Sequence, residues 1–196
     1  VFNQSYGDYD EYGRASIPDA MLKIWRRHKK KLFVNAAGND SMVLDPHKHK
    51  GLKNIIFVGA TDANNRMAWW SNVPGEHYKD RFIVAPGDFL PGAFAGSDND
   101  YGYMSGTSMA APLVTGAVAL LHSRWPHLKK KPGATADILF QSATDLGKAG
   151  VDRVYGHGLL NIAQAMNPIP IDDSPEDDID SPEEDEDDDQ TGDDKN

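Results

Sequence analysis

A glycine, two hydroxyl residues and several small residues stand directly ahead of a long apolar run in the segment 106–121. Gly106 permits a tight turn and the close approach of a second chain segment, and the Thr107 hydroxyl can cap the helix that follows. Ser108 then falls in the first turn, beside unpaired backbone N–H groups at the positive end of the helix dipole. Pro112 is close enough to the helix start to be tolerated. The run is apolar nearly all round, which predicts a buried helix and a rigidly held serine.

Shorter apolar runs predict strands that are buried on both faces, which is typical of a parallel sheet. These runs lie at residues 32–36, 55–59 and 82–85, and a further short strand is predicted at residues 1–6. Helices are predicted at about residues 17–30, 107–125, 135–143 and 159–166. Strands and helices alternate loosely along the chain, and this order favours an α/β domain built in layers.

The charge of the chain is concentrated at its C-terminal end. The 196 residues carry a formal net charge of −10, yet residues 171–196 contain 15 Asp or Glu and one Lys, a net charge of −14. Residues 1–170 therefore carry +4. The tail has almost no apolar residues, which predicts a disordered acidic linker or terminus after a domain at 1–170. Calcium binding by its carboxylates is the alternative, although the glycine spacing of an EF-hand loop is absent.

Composition excludes several classes of function. The chain has no cysteine, so a disulfide framework, a thiolate metal site and a cysteine nucleophile are all excluded. No apolar run reaches the length of a transmembrane helix, so we expect no membrane span. The basic run at 26–31 suggests a nucleic-acid patch, but it lacks interleaved aromatic residues. A solvated helix end, where positive charge complements the helix dipole, is the favoured interpretation, and no nucleic-acid partner is predicted.

A second polar group follows the apolar run at 32–36. A serine hydroxyl needs a base to remove its proton, and acyl transfer also needs donors that face the developing oxyanion. In the segment 36–39, small residues would let a substrate lie against the backbone, and the Asn39 amide could point into the same cleft as Ser108. A simple turn after a strand is the alternative, because Gly and Asn both favour turns.

Three segments taken together resemble the subtilisin-like serine protease family, also called subtilases or peptidase family S8. They are Asn3–Gly7, Ala36–Asn39 and Gly106–Pro112, and they match in order and in rough spacing. The resemblance continues through residues 58–62, 84–87 and 155–161 and covers about residues 1–166. It implies a serine endopeptidase that hydrolyses peptide bonds. It also implies a three-layer α/β fold with a mainly parallel sheet between helices, of which this chain would hold the C-terminal portion.

The resemblance implies a role for each matching residue. Ser108 matches the family's nucleophile, whose own backbone N–H contributes to the oxyanion hole, and Asn39 matches the side-chain donor of that hole. The residues implied to bind substrate are Ser5, Tyr6, Gly7, Ala36, Ala37, Gly38 and Thr107. The first three match the strand edge on which an extended polypeptide lays its main chain. The next three match one wall of the pocket for the residue before the scissile bond.

The departure from the family pattern is the missing base. In this family the triad runs Asp, then His, then Ser along the chain, and the Asp and His motifs would lie upstream of Val1. None of the seven histidines stands in such a motif. We therefore expect a C-terminal fragment that is inactive alone, whose partner is the N-terminal half of its own catalytic domain. Without that half, uncovered apolar edges should favour aggregation.

Several expectations remain less specific. The chemistry requires no cofactor, and a structural calcium ion is possible but is not assigned to any residue. Residues 96–100 are a candidate calcium loop, with a polar hairpin tip as the simpler alternative. Secretion or a location in the cell envelope follows from the family resemblance alone. Two other functions stay open: a peptide-binding module that does not cut its ligand, and an acidic secreted interaction protein.

Overall fold

The computed structural model describes residues 1–9, 15–44 and 51–167. The acidic segment 171–196, His47, His49 and the end of the predicted domain 1–170 lie outside the described residues. The strands are β1 (Phe2–Gln4), β2 (Asp8–Tyr9), β3 (Ala15–Ser16), β4 (Phe33–Ala36), β5 (Ile55–Thr61), β6 (Phe82–Pro86), β7 (Leu90–Ala93) and β8 (Tyr101–Met104). The α-helices are α1 (Asp19–Arg27), α2 (Gly75–Tyr78), α3 (Thr107–Arg124), α4 (Pro132–Ser142) and α5 (Ile162–Ala165). Short 3₁₀ helices lie at Lys79–Arg81 and Pro126–Lys130.

A four-stranded parallel sheet forms the centre of the described chain, in the order β1-β4-β5-β6. Phe57 of β5 lies opposite Asn35 of β4 on one side and opposite Phe82 of β6 on the other. Every residue of β4 and β5 is buried. The three apolar runs are thus confirmed as parallel strands buried on both faces. The first strand covers Phe2–Gln4 and is therefore shorter than the strand predicted at residues 1–6.

Helices cover both faces of this sheet. Successive side chains of a strand point to opposite faces, and β5 shows the result. Phe57 packs against Trp25 of α1, with ring centroids 6.1 Å apart, while Val58 belongs to the core that α3 and α4 form on the other face. The predicted three-layer α/β fold with a parallel sheet between helices is therefore confirmed.

The end of α1 is fixed by a buried asparagine at the start of β5. The helix stops at Arg27, short of the predicted residue 30, and the chain turns before it enters β4. The Asn54 side-chain N–H group donates hydrogen bonds to the carbonyl oxygens of Trp25, His28 and Lys31, at 3.0, 3.3 and 3.2 Å. Of these carbonyl groups only that of Trp25 belongs to the helix; those of His28 and Lys31 lie in the turn after it, and the His28 oxygen also accepts from Lys31 N–H at 2.9 Å. Asn54 therefore holds the basic turn in one position.

Helix α3 is not buried all round, so that expectation is wrong for one of its faces. Ala110, Val114 and Leu121 are among its buried residues, and they face the sheet. The opposite face is exposed although it is apolar, and we call it the open α3 face; its residues are Pro112, Leu113, Gly116, Ala119 and Leu120. A run that is apolar all round cannot by itself show which side has a neighbour. In the described chain no helix, α3 included, is long and apolar enough to cross a membrane.

A hairpin of β7 and β8 precedes α3. The two strands are antiparallel, with Leu90 opposite Met104 and Ala93 opposite Tyr101. The candidate calcium loop 96–100 lies at the tip of this hairpin, where Phe94 N–H donates to the Asp100 carbonyl oxygen at 2.8 Å. This placement fits the simpler alternative of a polar tip. No three His, Asp or Glu side chains of the described residues come together as a metal site, and calcium binding stays a prediction.

The triple hydrogen bond of Asn54 gives a stability prediction. Asn54→Ala should lower the free energy of unfolding by about 1–3 kcal/mol, because buried carbonyl groups lose their donor. Asn64→Ala is the control, since Asn64 is exposed and its side chain makes no hydrogen bond within the described residues; it should change the free energy by less than about 0.5 kcal/mol. Urea unfolding followed by circular dichroism measures both. Equal unfolding midpoints would contradict the role of Asn54.

Candidate active site

Ser108 lies in the first turn of α3, and the segment before it is anchored to the end of β6. Gly106 N–H donates to the Gly87 carbonyl oxygen at 2.8 Å. A side-chain carbon on Gly87 would lie 2.6 Å from the Ala60 Cβ atom and 2.9 Å from the Gly106 carbonyl oxygen, both too close for real contacts. Only glycine therefore lets the chain after β6 approach the start of α3. The Pro-Gly pair after the third apolar run is explained by this contact.

Ser5 and Ser108 are joined by two reciprocal hydrogen bonds. The Ser108 hydroxyl donates to the Ser5 carbonyl oxygen at 3.1 Å, and the Ser5 hydroxyl donates to the Ser108 carbonyl oxygen at 2.9 Å. The second bond has a cause in the sequence. The Ser108 carbonyl would normally accept from the backbone N–H four residues on, but residue 112 is proline and has no N–H. Ser5 supplies the missing donor and so ties the end of β1 to the start of α3.

Asn39 lies just past β4 and is fixed by Thr107. The Asn39 Oδ1 atom accepts from both the backbone N–H and the hydroxyl of Thr107, each at 2.9 Å, and the Thr107 hydroxyl accepts from Gly38 N–H at 3.1 Å. The expectation that Thr107 caps α3 is therefore wrong. Gly106 is the cap residue and no side chain caps it. The Thr107 hydroxyl is drawn to Asn39 because that contact crosslinks two chain segments in a fully buried position.

Two N–H donors face the same small space beside Gly106. A side-chain carbon on Gly106 would lie 3.6 Å from the Asn39 Nδ2 atom and 3.6 Å from the Ser108 backbone nitrogen. Neither donor has an acceptor among residues 1–9, 15–44 and 51–167. Because Asn39 Oδ1 is occupied by Thr107, the amide is held with its N–H₂ group toward this space. That position is one bond away from the Gly106 Cα atom and 3.4 Å from the Met109 Sδ atom, so a carbonyl oxygen that accepted from both groups would lie beyond it.

The predicted substrate-binding residues lie on two sides of Ser108. Residues Ser5, Tyr6 and Gly7 follow β1 without belonging to a strand, and the Tyr6 side chain is exposed. The Ala36 and Ala37 side chains are buried in the cores on opposite faces of the sheet, so only their backbone can meet a ligand. Gly38 follows with a positive φ of 100°. The structure thus brings both segments near Ser108.

Sequence reasoning missed Asn72, which holds the loop that carries Asn39. Its Oδ1 atom accepts from Asp40 N–H at 3.0 Å and from Met42 N–H at 2.9 Å, and its Nδ2 atom donates to the Ala37 carbonyl oxygen at 2.9 Å. Asn72 is fully buried. No local pattern marks it, because its partners lie about thirty residues away. It is a positioning residue for the 37–42 loop.

No histidine of the described residues is hydrogen-bonded to Ser108. His28 ends α1, His77 lies in α2, His122 and His127 lie at the far end of α3 and just beyond it, and His157 stacks on Phe140. Burial is the main cause that lowers the pKa of His122 and of His157. His122 contacts the Thr135 hydroxyl at 3.2 Å, and His157 contacts the Asp80 carbonyl oxygen at 3.2 Å. Both rings serve packing rather than the Ser108 hydroxyl.

The comparison with known proteins decides the family. The sequence profile of the subtilase family, peptidase S8, matches residues 1–158. The chain belongs to the subtilase family. This subtilase chain is 38% identical over 148 residues to serotype-specific antigen 1 of Mannheimia haemolytica, which covers 69% of the chain and 16% of that protein. It is 33% identical over 130 residues to subtilisin DY of Bacillus licheniformis, which covers 66% of the chain and 42% of that protein.

A solved structure shows the same relationship. The prenylagaramide maturation protease PagA superposes with a TM-score of 0.63 at 29% sequence identity, covering 83% of this subtilase chain and 59% of that structure. The chain therefore spans less than two thirds of the length of each of these relatives.

Proposed function

We propose that this chain carries the nucleophile and the oxyanion hole of a serine endopeptidase. The observation that supports this most strongly is the placement of two N–H donors on one side of Gly106: the Asn39 Nδ2 atom and the Ser108 backbone nitrogen would each lie 3.6 Å from a Cβ atom on that residue, and the Asn39 Oδ1 atom is held by Thr107. Two fixed donors beside a serine hydroxyl suit the tetrahedral intermediate of acyl transfer, where negative charge develops on the former carbonyl oxygen. Rigid donors need no reorganisation when that charge appears.

The proposed reaction proceeds in two steps. The Ser108 Oγ atom attacks the carbonyl carbon of the scissile peptide bond while a base takes the hydroxyl proton, and the carbonyl oxygen becomes an oxyanion held by Asn39 and Ser108 N–H. The carbon–nitrogen bond then breaks, the base returns its proton to the leaving amine, and an ester to Ser108 remains. Water attacks this ester by the same route in reverse, which releases the acid and restores the hydroxyl.

The substrate in this proposal is an extended polypeptide. Residues 5–7 lie next to Ser108 and belong to no strand, and in this proposal their backbone pairs with a substrate main chain as an added strand, although the Ser5 carbonyl oxygen accepts from the Ser108 hydroxyl in the free chain. Residues 36–38 would line the pocket for the residue before the scissile bond, through backbone rather than side-chain contacts. Secretion or a location in the cell envelope is proposed from the family alone, and calcium is proposed only as a structural ion.

The base is proposed to come from polypeptide outside these 196 residues. The Ser108 hydroxyl donates a hydrogen bond to a backbone carbonyl oxygen, which is too weak a base to take the proton away. We propose that the N-terminal half of the same catalytic domain supplies the histidine and aspartate. It would cover the open α3 face, where the side chains of Leu113 and Leu120 are 38% and 47% exposed. Burying such apolar surface is favourable. Because Ser108 lies in the first turn of the same helix, a partner on this face would lie near that serine.

Edge strand β1 extends this docking surface. β1 is one edge of the central sheet, and Phe2 on it is 51% exposed. The Thr115 hydroxyl of α3 donates to the Asn3 side-chain oxygen at 2.9 Å, so strand and helix present one continuous surface. A partner that added a strand beside β1 would satisfy its free backbone groups and cover the open α3 face together.

Labelling with a fluorophosphonate probe tests the missing base. The 196-residue chain should label at Ser108 far more slowly than the protein encoded by its whole reading frame. In a subtilisin-type protease, loss of the histidine alone costs on the order of a millionfold in turnover. Ser108→Ala in the longer protein is the control for labelling at that serine. Rapid labelling of Ser108 in the 196-residue chain alone would refute the proposal.

Asn39→Asp tests the oxyanion hole without disturbing its support. The aspartate keeps an oxygen for the Thr107 backbone N–H and hydroxyl, but a second, negatively charged oxygen replaces the N–H₂ donor and would also repel an oxyanion. In the longer protein we expect kcat to fall on the order of 10²- to 10³-fold, the loss known for the corresponding donor in a subtilisin, with little change in KM. Steady-state hydrolysis of a peptide substrate measures this. An unchanged kcat would exclude Asn39 from the hole.

A further inference from the structure

Two basic runs that are far apart in sequence meet at the end of the domain opposite Ser108. Residues 29–31 follow α1 and residues 129–131 follow α3, and each run is Lys-Lys-Lys. Ser108 is in the first turn of α3 and His122 in its last turn, so about 20 Å of helix separates the two ends at 1.5 Å per residue. This surface is therefore independent of the proposed protease chemistry.

Lys30 and Lys31 of the first run and Lys129 of the second line one concave surface, which we call the basic groove. Its volume is about 290 Å³, and its lining includes Lys30, Lys31, Lys129, His122, Leu32 and Leu128. The backbone on both sides is fixed. Asn54 holds the Lys31 carbonyl at 3.2 Å, and the buried Thr135 hydroxyl donates to the Leu128 carbonyl at 3.1 Å. The groove is thus held in place by the fold, and its rim is cationic.

The positive charge of the basic groove is not balanced by neighbouring acids. Residues 20–39 and residues 101–136 contain no Asp or Glu. Three ion pairs among the described residues lie elsewhere: Arg66 with Asp62, Lys79 with Glu76 and Arg81 with Asp137. Lys30, Lys31 and Lys129, the lysines that line the groove, have no carboxylate partner within residues 1–9, 15–44 and 51–167. Clustered like charges repel one another, so an anionic ligand would relieve this repulsion.

We propose that the acidic segment 171–196 of the same chain docks in the basic groove. The segment carries a net charge of −14, opposite in sign to the groove. The described chain ends at Asn167 after α5, which packs on α4, and Pro132 at the start of α4 itself lines the groove. Residues 168–196 can span up to about 95 Å when extended, so reach does not limit the contact. Tethering also raises the local concentration of the ligand to about the millimolar range.

Zero-length crosslinking of the full chain tests this contact. A carbodiimide joins a carboxylate to a lysine amine only when the two touch. We expect peptides from 171–196 to couple to Lys30, Lys31 and Lys129 several-fold more than to Lys79 and Lys148, which lie elsewhere. The preference should disappear in 1 M salt, where the Debye length falls to about 3 Å. Mixing isotopically light and heavy chains shows that the links form within one chain.

A matched pair of triple variants adds a charge control. Lys30→Gln, Lys31→Gln and Lys129→Gln together should remove most of the tail crosslinks. Arg66→Gln, Lys148→Gln and Arg153→Gln remove the same charge from exposed positions and should keep them. Tail links spread evenly over all lysines, or links between two chains, would overturn the proposal. So would tight binding of a single-stranded oligonucleotide by the full chain without tail links, which would assign the groove to nucleic acid. The loss of the crosslinking preference in 1 M salt is measured on the unsubstituted chain, so this test does not depend on whether the variants fold.

Discussion

The hydrogen bond from the Ser5 hydroxyl to the Ser108 carbonyl oxygen exists because of Pro112, and the position of Ser108 depends on it. A proline six residues into α3 removes the N–H that this carbonyl would otherwise accept from. The Ser5 hydroxyl, at the end of β1, donates to this carbonyl instead, and the Ser108 hydroxyl donates to the Ser5 carbonyl oxygen. The serine is therefore held from two sides, by the helix it begins and by the edge strand beside it.

Within the described chain, Ser108 has N–H donors beside it but no hydrogen-bonded histidine. Asn39 and Ser108 N–H are fixed by contacts within the chain, through Thr107, Asn72 and the start of α3. The side of α3 that faces away from the sheet is apolar and exposed, and it adjoins the unpaired edge of β1. The proposed site therefore combines rigid N–H donors with an exposed apolar surface. Such a surface suits assembly with a second polypeptide segment that would cover it.

Local patterns predicted the elements well because their signals are local. The all-apolar runs became β4, β5 and β6, and the small residues around Ser108 and Asn39 marked turns into and out of regular structure. Tertiary contacts were beyond reach. Thr107 looked like a helix cap, but its hydroxyl bonds to Asn39 across the site. Asn72 carried no signal at all, since its importance depends on which loop packs beside it.

The exposure of one α3 face illustrates the other limit. The apolar side chains of Leu113 and Leu120 indicate that packing against a neighbour would be favourable. Only the structure shows that no described residue covers them. The basic groove is similar, because the lysine runs at 29–31 and 129–131 are unremarkable separately. In the fold, the turns after α1 and α3 lie side by side, so that lysines of both runs line one surface. The negative charge of segment 171–196 is opposite in sign to that surface.

A crystal structure of the protein encoded by the whole reading frame, with a peptide boronic acid bound, would show the proposed nucleophile and oxyanion hole together. Boron should be bonded to the Ser108 Oγ atom, with a boronate oxygen within hydrogen-bond distance of Asn39 Nδ2 and Ser108 N–H. A histidine from outside residues 1–196 should lie beside Ser108. Boron bonded to another residue, or a histidine of this chain in that position, would contradict the proposed roles.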